Sequence, residues 1–299
     1  MGLSYKKLVL IMSLLLTSSY ALAATVQQQH KGLTLNANLE LVNGKKLGDS
    51  VILITHGTLA HGKMEITTAL QDLFTENELD SISITLGLGQ NDRKGMYDCA
   101  TTHTHKHTDA LDEIGLWVSW LKKQGVKNIT LLGHSRGGNQ TAWYASERHS
   151  DVIKNVILIA PATWNRDGEI KSYKKKYGKD YSKILAKAEK LVAKGSGKTV
   201  MKNIDHIYCK DTSVTAESFV SYYRDDRRLN TVHFLDKIKA PVLVFAGSKD
   251  KVVKNLDKKV APFVKKGKVV LNVLDGADHM FRDLHADDMV DAIVDYLSE

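Results

Sequence analysis

The sharpest chemical signal in the chain is Gly133-His134-Ser135-Arg136-Gly137, a serine flanked by small residues. A serine hydroxyl is a weak nucleophile until a base removes its proton, and the flanking glycines let the backbone turn sharply enough to push that hydroxyl outward. The base this chemistry calls for is a histidine held by a carboxylate. Twelve histidines compete for the role. His279, in Gly276-Ala277-Asp278-His279-Met280-Phe281, and Asp250, in Gly247-Ser248-Lys249-Asp250, each fall in a loop directly after an apolar run. Asp278 is the rival acid, although adjacent side chains seldom point at one another. Asp250 also has a bland reading as a surface carboxylate. In the favoured assignment Ser135 attacks an acyl carbonyl, His279 takes and returns the proton, and Asp250 holds His279.

Such a constellation needs a scaffold that brings distant loops to one edge. Apolar runs at residues 51–55, 82–86, 129–132, 156–160, 242–246 and 269–274 read as buried strands, and most are followed by an amphipathic helical stretch. In one of these helices Leu111, Ile114, Val118 and Leu121 share a face. The alternation predicts a mostly parallel sheet flanked by helices, with Ser135 in a tight strand-to-helix turn where the helix N-terminus favours developing negative charge. Ahead of it, residues 31–42 alternate apolar and polar, and Asn43-Gly44 supplies turn chemistry, predicting opening strands joined by a hairpin. Between the runs ending near Ala160 and starting at Val242, about eighty residues show helical periodicity and no clear strand, as an inserted helical cap would. The expected organisation is a removable signal at 1–23, core at 24–164, cap at 165–238 and core again at 239–299.

With these residues in view, the mature chain resembles the α/β-hydrolase superfamily along essentially its whole length. The order Ser135, Asp250, His279 is the order that architecture uses. The family's early His-Gly turn is matched by Thr55-His56-Gly57-Thr58. By that resemblance the backbone N–H groups of Thr58 and Arg136 form an oxyanion hole, and the cap is a lid. A serine nucleophile, rather than aspartate or cysteine, points away from dehalogenase, epoxide and dienelactone chemistry. Ester hydrolysis is the default, because an alkoxide leaves more readily than an amine. Peptidase and acyltransferase activities use the same triad, and a non-catalytic ligand-binding protein on this fold is the rival from another class. More narrowly, the chain is similar to exported bacterial hydrolases.

Composition sets the outer limits. The 299 residues are 43% hydrophobic and 25% charged, with 21 Gly and 3 Pro, which excludes collagen-like and disordered classes. Lys6 and Lys7, the apolar stretch 8–16 and Ala21-Leu22-Ala23 read as a cleavable export signal, so a periplasmic or secreted location is expected. Nothing beyond it approaches the roughly 18 apolar residues of a membrane helix. The net charge is +8, and residues 165–234 alone carry 16 Lys and Arg against 9 Asp and Glu. A solvated helical face is the favoured reading of that segment, since its lysines alternate with Tyr181, Ile184, Leu185, Ala188, Leu191 and Val192 at helical spacing; capture of anions is the alternative. No nucleic-acid module is evident, so the expected partner is a small-molecule acyl substrate, with no cofactor. His103, His105 and His107 alternate in one loop, but no acidic or thiol partner stands at zinc spacing. That loop, with His56, is therefore expected at the pocket rim and not as a metal site. Cys99 and Cys209, an even pair in an exported chain, are expected to form a disulfide joining cap to core.

Overall fold

The computed structural model describes residues 22–42, 44 and 46–298. The expected export signal lies outside them, except for Leu22 and Ala23, which open the first strand. Strands β1 (Leu22–His30) and β2 (Leu33–Leu41) form an antiparallel hairpin. Its turn is Lys31-Gly32, not Asn43-Gly44. Both turn residues have positive φ (48° and 81°), as a two-residue hairpin loop that matches strand twist requires. The sequence misplaced the turn because β1 is an edge strand whose first residues, Leu22 and Ala23, fall in the expected signal and whose end, Gln27-Gln28-Gln29-His30, is polar.

The chain then alternates: β3 (Ser50–Thr55), α1 (Glu65–Glu76), β4 (Ser81–Thr85), α2 (Asp109–Lys123), β5 (Asn128–His134), α3 (Arg136–Glu147) and β6 (Ile153–Ile159). An insertion follows, built from α4 (Arg166–Tyr177), α5 (Ser182–Ala193), β7 (Val200–His206), β8 (Cys209–Thr215) and α6 (Ala216–Tyr223), then 3-10 turns at Arg227–Leu229 and Thr231–His233. The alternation closes with β9 (Val242–Gly247), α7 (Leu256–Lys265), β10 (Val270–Leu274) and α8 (Leu284–Ser298). The sheet order is β1-β2-β4-β3-β5-β6-β9-β10, parallel from β4 to β10 with β2 antiparallel to both its neighbours. This is the α/β-hydrolase fold: a mostly parallel sheet, flanking helices and an inserted helical region.

The continuous apolar runs have a simple cause. Successive strand residues point to opposite faces, and both faces are covered, except along the edge strand β10, where Val270 and Val273 are exposed although the sequence reads as a buried strand. Val51 and Leu53 of β3 enter one core with α2 residues such as Ile114 and Trp117, while Ile52 and Ile54 enter the other with Phe74 of α1 and Ile293 of α8. Strand β6 divides likewise, Val156 and Leu158 one way, Ile157 and Ile159 the other.

The insertion is not purely helical, as the sequence had indicated; β7 and β8 form an antiparallel ribbon within it. Register shifts around Ile204 break the two-residue period, and β8, Cys-Lys-Asp-Thr-Ser-Val-Thr, is mostly polar, so neither strand shows in the sequence pattern. The ribbon is tied to the core. His103 N–H donates to the Ser213 carbonyl (2.8 Å), Thr215 N–H donates to the His103 carbonyl (2.9 Å), and Cys99 and Cys209 form a disulfide with Cα atoms 5.3 Å apart.

Candidate active site

Strands β3, β5, β9 and β10 all run into loops at the same sheet edge, and those loops carry the candidate residues. Ser135 sits between β5 and α3 at φ 55° and ψ −120°, a conformation that L residues rarely adopt. Two glycines permit it. A Cβ on Gly133 would fall 2.6 Å from the Gly137 carbonyl oxygen, and one on Gly137 would strike the carbonyls of Thr55 and His56. The Ser135 N–H donates to the Ile159 carbonyl (2.9 Å) and its own carbonyl accepts from Ala162 N–H (2.8 Å), so β6 and the loop after it fix the turn.

His279 reaches back from the loop after β10. Its Nε2 lies 2.9 Å from Ser135 Oγ and its Nδ1 lies 2.8 Å from Asp250 Oδ2. The remaining Asp250 oxygen accepts the N–H groups of Val252 and Val253 at 2.7 and 2.9 Å. Burial works against the Asp250 charge, but the His279 hydrogen bond and these two amides outweigh it and hold the carboxyl below its ordinary range. Asp278 instead accepts from Met280 N–H and faces Arg282 at the surface. A further contact had no sequence signal beyond the motif itself: His134 donates from Nε2 to the His279 carbonyl (2.9 Å), its ring 4.9 Å from that of His279. Burial pushes the His134 imidazole down to about 4, so it stays neutral near pH 7.

A cleft of about 170 Å³ opens over Ser135. Thr58 and Arg136 line it on the core side, and among the described residues neither backbone N–H donates a hydrogen bond. Tyr173, Tyr177, Tyr208, Tyr222 and Tyr223 of the insertion cover the other side. The Tyr173 and Tyr177 hydroxyls donate to the carbonyls of Asp205 and Ile207, and Tyr223 accepts Ile207 N–H, so these rings present carbon surface to the cleft.

The histidines expected at the rim lie elsewhere. His56, His103, His105 and His107 are buried and none lines this cleft. His56 shapes its turn, bonding at Nδ1 to the Gly57 carbonyl and accepting Leu86 N–H at Nε2. His103 and His105 pack against His206 of β7 and Tyr222 of α6, which the sequence keeps about a hundred residues away. The reason is the pairing of their loop with β8, which draws it under the insertion. Among the described residues no group of three or more His, Cys, Asp or Glu is arranged to hold a metal ion, and no helix is long and apolar enough to cross a membrane.

Fold and site together define a serine-hydrolase-type α/β-hydrolase enzyme. The chain belongs to the family described as serine aminopeptidase, S33, whose model matches residues 49–283. Among solved structures it is similar to Est1E from Butyrivibrio proteoclasticus, at 19% identity and a TM-score of 0.64, with 91% of this chain and 97% of that one covered. The esterase Pf2001 of Pyrococcus furiosus is similar at 15% identity and a TM-score of 0.61, covering 93% and 91%. At such identities the likeness is one of fold. A Mycoplasma pneumoniae protein provisionally named esterase/lipase 3 is 27% identical over 81 residues, which span 27% of this chain and 30% of that protein.

Proposed function

We propose that this chain is an exported hydrolase of small carboxylic esters that works through an acyl-enzyme on Ser135. The observation that carries the reading is the continuous relay from Ser135 Oγ through His279 to Asp250, at 2.9 and 2.8 Å, at the floor of a cleft. His279 Nδ1–H donates to Asp250, which leaves Nε2 unprotonated and able to accept the Ser135 proton as Oγ attacks. The N–H groups of Thr58 and Arg136 then take the oxyanion, and His279 returns its proton to the leaving alkoxide. Water repeats the sequence on the acyl-enzyme.

Three considerations favour an ester and an exterior location. An alkoxide is a better leaving group than an amine. One structural neighbour, Pf2001, is named an esterase. The Cys99–Cys209 disulfide suits an oxidising compartment, in keeping with the export signal read at residues 1–23. In this reading the insertion acts as a lid whose tyrosines shape the acyl pocket. The test is turnover of 4-nitrophenyl acetate and butyrate by the purified protein. Saturable hydrolysis abolished in Ser135→Ala is expected; equal rates in both proteins would remove the assignment.

A further inference from the structure

Arg136 does more than supply a backbone N–H beside the nucleophile. Its Nε donates to Thr58 Oγ1 (2.9 Å), one Nη1–H reaches His107 Nδ1 (3.4 Å), and the guanidinium lies 5.2 Å from the centre of the Tyr222 ring. His107 is a neutral acceptor here. Its Nε2 donates to Asn139 Oδ1 (2.8 Å), and burial, reinforced by the Arg136 charge, pushes its imidazole down to about 3. A guanidinium has five N–H groups, so among the described residues the second Nη1–H and both Nη2–H groups remain uncommitted. Thr58 and Tyr222, which flank the group, both line the cleft over Ser135.

The charge is only partly offset, by Glu169 of the same cleft, which acts on it from beyond ion-pair distance. Among the described residues no carboxylate forms an ion pair with Arg136, although a partly buried cation ordinarily has one. A second cation, Lys176, lines the same cleft with its Nζ 3.4 Å above the Tyr208 ring; it too has no carboxylate within ion-pair distance, Glu169 acting on it from further away. Glu169 is the one acid among the lining residues, and it makes no hydrogen bond or ion pair among the described residues. Two cations against one carboxylate leave the cleft positive. The insertion above it carries the excess of basic residues noted in the sequence.

We propose that the substrate bears a carboxylate and that Arg136, assisted by Lys176, is the specificity-determining residue that receives it. This deepens the esterase reading and rests on it. Three free N–H groups in a planar fork can grip a carboxylate at two points, and the low-dielectric tyrosine wall strengthens that contact relative to open water. The Thr58 bond holds the guanidinium against the turn that offers the oxyanion N–H, so anion docking and carbonyl placement share one support. The charge excess on the insertion raises the local concentration of such substrates.

The test compares three matched esters: phenyl butyrate, monophenyl glutarate with the carboxylate on the acyl side, and 4-carboxyphenyl butyrate with it on the leaving group. Each kcat/KM is divided by the ester's rate of alkaline hydrolysis. The expected result is a preference of tenfold or more for one anionic ester over phenyl butyrate, decreasing with added salt. The identity of that ester tells which side of the scissile bond faces Arg136. In Arg136→Gln the ratio of anionic to neutral ester should fall at least tenfold whatever happens to the absolute rates, with Arg136→Lys between and Lys176→Gln showing a smaller fall. Equal or lower use of both anionic esters by the native protein, or an unchanged ratio in Arg136→Gln, overturns the proposal while hydrolysis of phenyl butyrate leaves the esterase reading standing. If no ester is hydrolysed, calorimetric titration of the Ser135→Ala protein with monomethyl glutarate decides: binding that Arg136→Gln abolishes supports the anion site, and absence of binding overturns it.

Discussion

Ser135 is held in a backbone conformation that costs on the order of 1–3 kcal/mol, and the turn persists because Gly133 and Gly137 leave room for it and the loop after β6 bonds it on both sides. The strain aims Oγ at His279, so serine and histidine act as one unit. Ser135→Ala and His279→Ala should each lower ester turnover by about a thousandfold or more, with little further loss in the double variant. The acids should separate as well. Asp250→Asn should lower kcat far more than Asp278→Asn, because only Asp250 touches the imidazole; the reverse ranking in steady-state kinetics would reassign the acid. These residues were legible because each is bounded by glycine and preceded by an apolar strand. The side chains of Arg136 and His134 stood in the same motif, yet their partners Thr58, His107 and His279 are brought to them only by folding.

At the scale of elements, buried strands were readable because both faces are covered, so that most carry apolar residues at both parities, β4 with its buried Ser81, Ser83 and Thr85 being the exception. The first edge strand and the irregular ribbon were not. Strand β1 begins inside the expected signal and ends in the polar run Gln27-Gln28-Gln29-His30 at the sheet edge, and the β7–β8 ribbon shifts register twice, so both escaped a pattern search. The ribbon matters because it couples the insertion to the core through the Cys99–Cys209 bond, which closes a loop with a sequence separation of 110 residues. In the chain-entropy model such a bridge stabilises by up to roughly 4 to 5 kcal/mol. Reduction, or Cys99→Ser with Cys209→Ser, should therefore lower the melting temperature by several degrees. The His103 bridge to Val214 remains, so turnover at 25 °C should largely survive. Calorimetry with and without reductant checks this; an unchanged melt would mean that the bridge does not constrain the unfolded chain.

The whole molecule should be acid-sensitive in a particular window. His56 and His107 are pushed down to about 3, His103 and His134 to about 4, and His105 and His206 well below the ordinary histidine range, all chiefly by burial. On unfolding these imidazoles regain a value of about 6.5 and bind protons that the native state refuses. Their contribution is therefore fully present above pH 6.5 and is lost progressively as the pH falls from there toward 3 to 4. Melting temperature should be level between pH 7 and 8 and decline steadily below 6.5; no change between pH 7 and 5 would contradict the burial of neutral histidines.

The central claim, that the folded chain presents Ser135 as an activated nucleophile, is tested most directly by a fluorophosphonate probe, which phosphonylates only a serine whose proton a neighbouring base removes. Mass spectrometry of the native protein after labelling should show one adduct per chain, mapped to the peptide holding Gly133-His134-Ser135-Arg136-Gly137, and none in Ser135→Ala or His279→Ala. Absence of an adduct in active-pH buffer, or an adduct that persists in Ser135→Ala, would contradict the account.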